Sequence, residues 1–487
     1  MDGPQWQSAD VARMTPKDRL AALPDQLRAR VAETRAALSN PSSRASRGSR
    51  SMSWSGLRVG TNVISRLAAN LFTTSILMPE AFSLSAVVFM LLGGLNMISD
   101  AGIEESIVRH QRGDQTSFLH TAFVVRALRG VVLGLIVLGV AGGLAIAQGY
   151  SDFSGTVYGH PDLVFILTLA ALQPVLGGLV SPVYFLGARL VELRQMVLIN
   201  IAGSILGLVS MMVVVWLTEE AWALLTASFV STAVMVTLSH RLPGPGMRFA
   251  VEREALSEFW GFGRWIIGAS FFNFVSREGD RLITSAILDI ETFAIFAIAR
   301  IWLEAGANLL QMAQPTVRGL IAEAHRESLE TQKRVVGKLQ PLMLGACLVA
   351  FVSAFLVAPP VIEVLYRDAF HATGPMIAAL AGVMLWRVDL IAEASIIAAG
   401  RSRLLASINL MTTVVLLAGV PLLYPPFGLE GLIAATLFAR LLGHLVFALS
   451  QAALLERART PVLMGVTVRG VLAFMALAFS GVTAAGG

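Results

Sequence analysis

The sequence NVISR at Asn62–Arg66, followed by ILMPEAF at Ile76–Phe82, returns in altered form later in the chain. The second copy reads NFVSR at Asn273–Arg277 and ILDIETF at Ile287–Phe293. The offset from position 62 to position 273 is 211 residues, and the offset from 76 to 287 is the same. We therefore predict that the chain arose by internal duplication, and both copies keep an arginine inside an otherwise apolar segment.

Further matched positions extend the duplication. They are Trp54 with Trp265 at the same offset and, at an offset of 209 residues (194 to 403), Arg194 with Arg403 and Ile199-Asn200 with Ile408-Asn409. An arginine within a membrane span is costly and indicates function by default. In transporters built from repeats, matched irregularities in the two halves indicate the binding site.

The composition is that of a membrane protein. Hydrophobic residues make up 55% of the chain, charged residues only 14%, and the mean hydropathy is +0.70. A soluble domain carries about a quarter charged residues. The apolar residues come in blocks long enough to cross a hydrocarbon core as helices, and the alternation typical of an outer-membrane barrel is absent from the sequence. We predict spans at 54–77, 81–101, 119–148, 161–187, 195–217, 221–240, 260–288, 291–314, 339–358, 373–398, 403–424, 428–450 and 462–484.

These spans predict an all-α polytopic membrane protein of 12–13 transmembrane helices in two pseudo-symmetric six-helix lobes. The predicted domains are a tail at 1–52, an N lobe at 53–242, a linker at 243–258, a C lobe at 259–452 and an additional helix at 453–487. Because each repeat has an even number of spans, both copies enter the membrane from the same side. The lobes are then related by an axis along the membrane normal, and the site lies between them.

The loops between the spans alternate in charge. One set carries Arg109, Arg112, Arg189, Arg194, Arg241, Arg248, Arg253, Arg318, Arg326, Lys333, Arg334, Lys338, Arg401, Arg403, Arg457 and Arg459. The alternate loops, near 78–80, 149–160, 218–220, 289–291 and 425–427, contain no Lys or Arg, and only 359–372 breaks the rule, with Arg367. The positive-inside rule predicts that the first set and the N-terminus are cytoplasmic. The net charge of +5 then reflects topology, so nucleic acid is not an expected partner.

The N-terminal tail is rich in Arg, Ala and Ser. Its residues Asp25–Leu38 are compatible with a short amphipathic helix, and Asn40–Ser51 has the composition of a disordered basic linker. Contact with anionic membrane lipids is the simpler interpretation of this tail, and docking of a partner is the other. The single Cys347 lies in a predicted helix, so disulfides and cysteine-based metal or redox chemistry are not expected.

Polar side chains form a stripe along two related spans. Residues four apart share a helix face; such stripes consist of Asn62, Arg66 and Asn70 in the first span, and of Asn273, Arg277 and Arg281 in the seventh. Glu278 and Asp280 lie beside the second stripe. The eighth span adds Arg300 and Glu304, and the tenth adds Arg387, Asp389 and Glu393.

Each such charge costs roughly 2.5–3.5 kcal/mol at a helix centre. We therefore predict that the first, seventh, eighth and tenth spans line a hydrated, charged cavity. The alternative is that the charges pair only with one another, as Glu278 with Arg281 or Arg300 with Glu304. Because the first span has no acid of its own before Glu80, Arg66 is predicted to lack a structural partner and to suit an anionic group such as phosphate or a uronic acid.

The candidate site residues fall into two classes. Substrate binding is assigned to Arg66, Arg277, Arg281, Asn62, Asn273, Arg300 and Arg387. Ion coupling or charge pairing is assigned to Glu278, Asp280, Glu304, Asp389 and Glu393. The histidines have no metal-ligand spacing, and neither a GxxxxGK[ST] loop nor a GxSxG elbow occurs. We therefore expect no metal site, no cofactor and no enzymatic activity.

Several short motifs then resemble a known family. They are FGRWI at Phe262–Ile266, EGDRL at Glu278–Leu282, DAG at Asp100–Gly102, TAF at Thr121–Phe123 and AGRSRL at Ala399–Leu404. Their order resembles that of bacterial polysaccharide-export flippases, the Wzx-type branch of the multidrug/oligosaccharidyl-lipid/polysaccharide exporter superfamily. The resemblance runs from about residue 54 to 450, and the tail and thirteenth span depart from the family's twelve-helix pattern.

The resemblance implies an alternating-access carrier in the bacterial inner membrane. It would move undecaprenyl-pyrophosphate-linked oligosaccharide to the periplasmic leaflet for exopolysaccharide, capsule or O-antigen (lipopolysaccharide) synthesis. Its expected partners are the lipid-linked oligosaccharide and membrane lipids, with a polysaccharide polymerase and glycosyltransferases as further candidates. Protons, sodium, membrane potential and downstream polymerisation all stay open as driving forces.

Three other functions remain as alternatives. A multidrug or cation exporter of the same superfamily would want an acid-rich N-terminal cavity, whereas the first span offers Arg66. A membrane-embedded polysaccharide polymerase would need a long external loop with catalytic groups, and the external stretches here reach only about a dozen residues. A scaffold for glycosyltransferases would have no reason to carry matched intramembrane charges.

Overall fold

The computed structural model describes residues 44–99, 103–110, 112–150, 153–189 and 193–455. Within these ranges the chain forms α-helices joined by short loops and tighter helical turns, and it contains no strand. The predicted all-α class is therefore confirmed. The predicted thirteenth span, most of the N-terminal tail and the DAG motif lie outside the described residues.

The described helices of the predicted N lobe coincide with its predicted spans, and we keep the names N lobe and C lobe for the two predicted halves of the chain. These helices are α1 (Arg44–Thr74), α2 (Pro79–Ser99), α3 (Ile103–Arg109), α4 (Thr116–Tyr150), α5 (Pro161–Ala170), α6 (Leu172–Gly178), α7 (Val183–Arg189), α8 (Arg194–Thr218) and α9 (Leu225–Ser239). Short 3₁₀ turns lie at Val157–Gly159 and Ala221–Leu224.

The C lobe follows after the linker. Its helices are α10 (Arg253–Ile287), α11 (Ile290–Gln311), α12 (Gln314–Glu327), α13 (Leu329–Val352), α14 (Ala358–Leu365), α15 (Thr373–Leu380), α16 (Asp389–Ala398) and α17 (Ser402–Leu455). A π-helical turn at Ser353–Val357 joins α13 to α14, and a 3₁₀ segment at Ala381–Val388 joins α15 to α16.

Helical structure coincides with each of the first twelve predicted spans. Nine segments of the described ranges are long and apolar enough to cross a membrane, by length and composition. The charged-stripe helices α1 and α10 are not among these nine; they occupy the first and seventh predicted spans. Two boundaries differ from prediction. The fourth span ends at Gly178, ahead of Pro182, and the ninth continues through α14 to Leu365 because its two prolines stand in the first turn, where no backbone donor is needed.

The last helix, α17, reverses direction inside its 54 residues. Gly428 has φ +55°, in the left-handed region that glycine adopts without steric cost. A side chain on Gly431 would collide with the carbonyl oxygen of Leu423, so the segments before and after Gly428 are in direct contact. The two arms of α17 therefore correspond to the separate spans predicted at 403–424 and 428–450.

The first helix begins earlier than predicted. Helix α1 starts at Arg44, so the last residues of the tail predicted to be disordered are helical. A helix that has already formed extends at little cost, because each added residue gains one hydrogen bond. The apolar span therefore propagates its helix outward into the basic segment.

The linker and the start of α10 pack on the N lobe. The Phe259 ring lies 4.7 Å from the Phe118 ring of α4, and the Glu252 amide donates to Thr121 Oγ1 at 2.9 Å. Helix α10 begins at Arg253, before the predicted start of the C lobe. The first turns of α10, which precede the predicted seventh span, thus pack into a core shared with N-lobe helices.

Two ion pairs hold the same linker. Arg112 binds Glu254 at 2.7 Å and also binds Glu252. Hydrogen bonds from the Ser117 hydroxyl and from Arg112 hold the pKa of the Glu252 carboxyl below its ordinary value. The basic loop between the second and third spans is thereby tied to the connection between the lobes.

The two lobes also meet at the loops predicted to be external. The Ile290 amide donates to Gly155 O at 3.0 Å, and Tyr158 shares a 2.8 Å hydrogen bond with Ser285 Oγ. Ser83 Oγ also donates to the Ile290 carbonyl oxygen. The loops predicted to be external near residues 80, 155 and 290 therefore lie together on one side of the molecule.

Aromatic side chains extend this contact to the loop near residue 368. The Phe82 and Phe370 rings meet edge to face, with centroids 5.5 Å apart. Below this closure, α2 packs against both α10 and α11. Gly94 of α2 leaves room for the Phe274 ring, because a side chain at position 94 would collide with it.

Candidate functional site

The charged residues of α10 and α11 form one cluster between these helices. Arg281 binds Glu278 at 3.1 Å, one helical turn away, and binds Glu304 of α11 at 3.1 Å. Arg300 binds Glu304 at 3.1 Å and also binds Asp280. Both arginine side chains are mostly buried, at 12% and 15% exposure. The two pairings weighed from the sequence, Glu278 with Arg281 and Arg300 with Glu304, are therefore present.

Arg66 joins this cluster from the other lobe. Its guanidinium lies 3.3 Å from Glu304 Oε2, although its side chain keeps 51% of its surface exposed. The expectation that Arg66 lacks a structural partner is therefore wrong. Its partner was missed because it lies on α11, in the other lobe. Three arginines, Arg66, Arg281 and Arg300, thus converge on one carboxylate.

The rest of the α1 stripe also has partners. Asn62 accepts a hydrogen bond from Ser204 of α8 at 3.2 Å, within the N lobe. Asn70 is buried and accepts a hydrogen bond from Tyr366 of the C lobe. The Tyr366 hydroxyl in turn accepts the Trp302 indole N–H at 2.8 Å. Arg66 and Asn70 therefore both connect α1 to the opposite lobe.

The charges of the tenth span lie apart from this cluster. Asp389 Oδ1 is 2.6 Å from Nδ1 of His444, on the second arm of α17, and Glu393 lies 3.8 Å from Arg318 of α12. Arg387 interacts electrostatically with Asp389. The charged residues predicted to line one cavity therefore form two separate groups.

Arg440 lies within electrostatic range of both groups, and no sequence pattern indicated it. This mostly buried side chain of α17 interacts electrostatically with Asp280 of the first group and with Asp389 of the second. Its position inside an otherwise apolar run was the available signal. His444, four residues later and so on the same face, was also missed, because its partner lies 55 residues away in the chain.

Two predicted site residues, Asn273 and Arg277, lie on α10 with side chains outside the described residues. Their backbone positions allow one comparison. Arg66 is eight residues from the end of α1 at Thr74, and Arg277 is ten residues from the end of α10 at Ile287. At a rise of about 1.5 Å per residue these distances are roughly 12 and 15 Å, so the two positions have similar depth. No group of three or more metal-ligating side chains occurs within the described ranges.

Comparison with known proteins identifies the family. Residues 74–375 match the family described as polysaccharide biosynthesis protein, which is more than half of the chain. The chain belongs to this family. A comparison with curated proteins gives no significant match.

Solved structures show the same fold. An inward-facing multidrug resistance MATE family transporter of the MOP superfamily matches with a TM-score of 0.61 at 14% identity, over 81% of this chain and 99% of that one. The lipid II flippase MurJ, in an inward closed conformation, matches with a TM-score of 0.63 at 11% identity, over 87% and 97%. The chain is therefore a multi-pass membrane protein with the fold of the MOP transporters.

Solved structures in different conformations match this chain to different degrees. An outward-facing MATE family structure gives a lower TM-score, 0.53, than the inward-facing one. In this chain the lobes touch at the sparsely charged loops, which are the loops predicted to be external.

Proposed function

We propose that this membrane protein of the polysaccharide biosynthesis family is a flippase for an anionic, lipid-linked oligosaccharide. It moves the undecaprenyl-pyrophosphate-linked repeat unit from the cytoplasmic to the periplasmic leaflet of the bacterial inner membrane. The basic loops and the N-terminus face the cytoplasm in this proposal. The product serves exopolysaccharide, capsule or O-antigen synthesis.

The arginine cluster around Glu304 supports the choice of an anionic substrate. Arg66, Arg281 and Arg300 converge on the single carboxylate of Glu304, and Arg66 stays half exposed. A group with more negative charge and more acceptor oxygens than a carboxylate satisfies such a set better. Pyrophosphate is such a group, and the guanidinium fork matches its oxygens in pairs.

Transport then follows from competition for Arg66. The incoming pyrophosphate takes the Arg66 guanidinium from Glu304 and removes an ion pair between the lobes. The lobes can separate externally once the contacts of Tyr366 with Asn70 and of Ile290 with Gly155 also yield. The hydrated glycan stays between the lobes while the polyprenyl tail remains in lipid. The ligand shifts the equilibrium only by its differential affinity for the two states.

A multidrug or cation exporter is the second candidate, and the similarity to MATE transporters favours it. The mostly buried carboxylates Asp280 and Asp389 offer negative charge for an organic cation. Their arginine and histidine neighbours offset that charge, so we rank this function second. A polymerase or a non-transporting scaffold finds no supporting observation in the described residues.

Complementation of a deletion strain tests the proposed function. We expect Arg66→Ala to abolish polysaccharide export while the protein still accumulates in the membrane, because Arg66 is half exposed and its loss harms packing little. Arg277→Ala should do the same. Arg66→Lys should restore export in part, since lysine keeps the charge but not the fork.

The matched control is Arg403→Ala, which removes an exposed arginine from the start of α17 and should leave export unchanged. Normal export with both Arg66→Ala and Arg277→Ala would contradict a role in substrate binding. Loss of the Arg66→Ala protein from the membrane would instead favour a packing role.

A further inference from the structure

The buried pair of Asp389 and His444 in the C lobe has no place in the substrate site described above. It joins α16 to the second arm of α17 through a 2.6 Å contact between His444 Nδ1 and Asp389 Oδ1. His444 is 6% exposed, and the Asp389 side chain is 14% exposed. An ionisable pair within membrane-spanning helices is costly and indicates function.

The second ring nitrogen of His444 is the decisive atom. Nε2 is buried, and among the described residues it has no hydrogen-bond partner. A carboxylate only accepts, so Nδ1–H donates to Asp389 in the neutral ring, and Nε2 then carries a bare lone pair. A buried polar atom without a partner calls for an explanation. We explain Nε2 here as a nitrogen that accepts a proton.

We propose that His444, oriented by Asp389, is a proton-binding site that couples a proton to the movement of the lobes. This inference rests on the proposed transport function, and its test is independent of the substrate. The proton binds Nε2 in one state of the cycle and leaves it in the other, and no covalent bond between heavy atoms changes. Histidine is suited to this role because its unperturbed charge change falls between about pH 5 and 8.

Charged groups from several elements face this pair. Arg387, two residues before Asp389, and Arg440, one turn before His444, both interact with the Asp389 carboxylate. Cys347 of α13 is buried and also interacts with Asp389. Glu393, one turn after Asp389, is held by Arg318 of α12. The two arginines and His444 favour the charged form of Asp389, whereas burial opposes it. Nε2 of His444, which has no hydrogen-bond partner among the described residues, is the atom that can take the additional proton.

Arg440 couples the charge of the Asp389–His444 pair to the ion-pair cluster that joins the lobes. It is shared between Asp389 and Asp280, and Asp280 binds Arg300, which binds Glu304. When Nε2 is protonated, the imidazolium satisfies Asp389 and weakens its attraction for Arg440. Arg440 then acts more strongly on Asp280 and competes with Arg300. The proton thereby alters the cluster that holds Arg66 across the lobes.

The experiment measures a distance between the two lobes on the predicted external side as pH varies. It uses the purified full-length protein in lipid nanodiscs, without substrate. Spin labels on Met78→Cys and Asp368→Cys, which are exposed on opposite lobes at the outer contact, report the distance between the lobes. Native Cys347 is buried and stays in place. In the otherwise unchanged protein we expect the short-distance population to change at least threefold between pH 5 and pH 8.

His444→Gln keeps a hydrogen-bonding side chain but cannot take the proton, so its distance distribution should not change with pH. The matched control is His160→Gln, which alters a partly exposed His–Asp pair (3.9 Å) on a loop predicted to be external and should respond like the unchanged protein. If His444→Gln does not fold, Asp389→Asn takes its place and should also abolish the response.

Three results would overturn the proposal. They are a pH-independent distribution in the unchanged protein, an unaltered response in a folded His444→Gln or Asp389→Asn variant, and loss of the response in His160→Gln. Failure of the protein to bind a pyrophosphate lipid would contradict the proposed function alone, because no lipid-linked substrate enters this measurement.

Discussion

The two lobes carry the same repeat but use it differently. At the 211-residue offset, Arg66 corresponds to Arg277, and Asn70 corresponds to Arg281. The C-lobe copy is surrounded by its own acids, so Arg281 pairs with Glu278 of its own helix and with Glu304. The N-lobe copy has no acid nearby, so Arg66 must reach across to Glu304. The repeated sequence places an arginine at equivalent positions of both copies, and the uneven placement of acids leaves Arg66 to pair with a residue of the other lobe.

The largest effect should come from Glu304→Gln, which removes the carboxylate that binds an arginine from each copy of the repeat, Arg66 and Arg281. Arg281 and Arg300 are mostly buried, and removing one partner of a buried ion pair costs about 3–5 kcal/mol. We expect the unfolding free energy in detergent to fall by about 3 kcal/mol, measured by denaturant titration. Glu323→Gln, at an exposed position on α12, should leave it unchanged. Equal stability of the two variants would break the comparison, since Glu304 would then hold nothing together.

Arg66→Ala should have a much smaller effect on stability. The Arg66 side chain is 51% exposed, and exposed ion pairs contribute at most about 1 kcal/mol. The same denaturant titration should therefore show a loss no greater than that, whereas Arg300→Ala, which leaves buried Asp280 without its close partner, should lose more. An Arg66→Ala protein as unstable as Arg300→Ala would place Arg66 among the structural charges of the C lobe.

Tyr366→Phe tests the other link from the α1 stripe. It removes the hydroxyl that donates to Asn70 and accepts from Trp302. A hydrogen bond of this kind contributes about 0.5–1.5 kcal/mol. We expect a two- to tenfold shift toward the externally open state, measured as the distance between spin labels on the outer loops. Tyr150→Phe, at an exposed tyrosine near the same side, is the control. An unchanged distance distribution would mean that the contact between the outer loops does not depend on the hydrogen bond from Tyr366 to Asn70.

The smallest effect is expected at the linker. Because the pKa of Glu252 is lowered in the folded protein, its contact with Arg112 is fully present above the unfolded pKa of about 4.3 and is lost as pH falls through the lower folded value. Hydrogen exchange of residues 246–252 should therefore rise below about pH 4. Arg112→Gln should raise this exchange already at pH 7, and Arg241→Gln should not. Exchange that is the same in all three proteins at pH 7 would show that Arg112 does not hold the linker.

The sequence predicted the helices better than the partners of the charges. Hydropathy alone located twelve spans, including the turn at Gly428, because spans depend on local composition. The stripe of Asn62, Arg66 and Asn70 also followed from helical spacing. The link from Arg66 to Glu304 did not, because helical spacing predicts neighbours only within one helix.

The second charged group shows the same limit. Spacing placed Asp389 and Glu393 on one face but did not indicate that they face His444 and Arg318. Arg440 and His444 lie in a largely apolar part of the twelfth predicted span, and neither forms a motif with its sequence neighbours. Tertiary packing alone brings them to Asp280 and Asp389. Single intramembrane charges therefore merit attention even where no spacing supports them.

The arginines between the lobes are proposed to recognise an anion. The most direct test measures binding of undecaprenyl pyrophosphate, undecaprenyl monophosphate and the organic cation ethidium to the purified protein. We predict that the pyrophosphate lipid binds most tightly, and that Arg66→Ala weakens it about ten- to a hundredfold, which corresponds to the loss of about 1.5–3 kcal/mol from one charge-assisted hydrogen bond. Arg403→Ala should bind like the unchanged protein. Tighter binding of ethidium, or an Arg66→Ala affinity equal to that of the unchanged protein, would contradict the account.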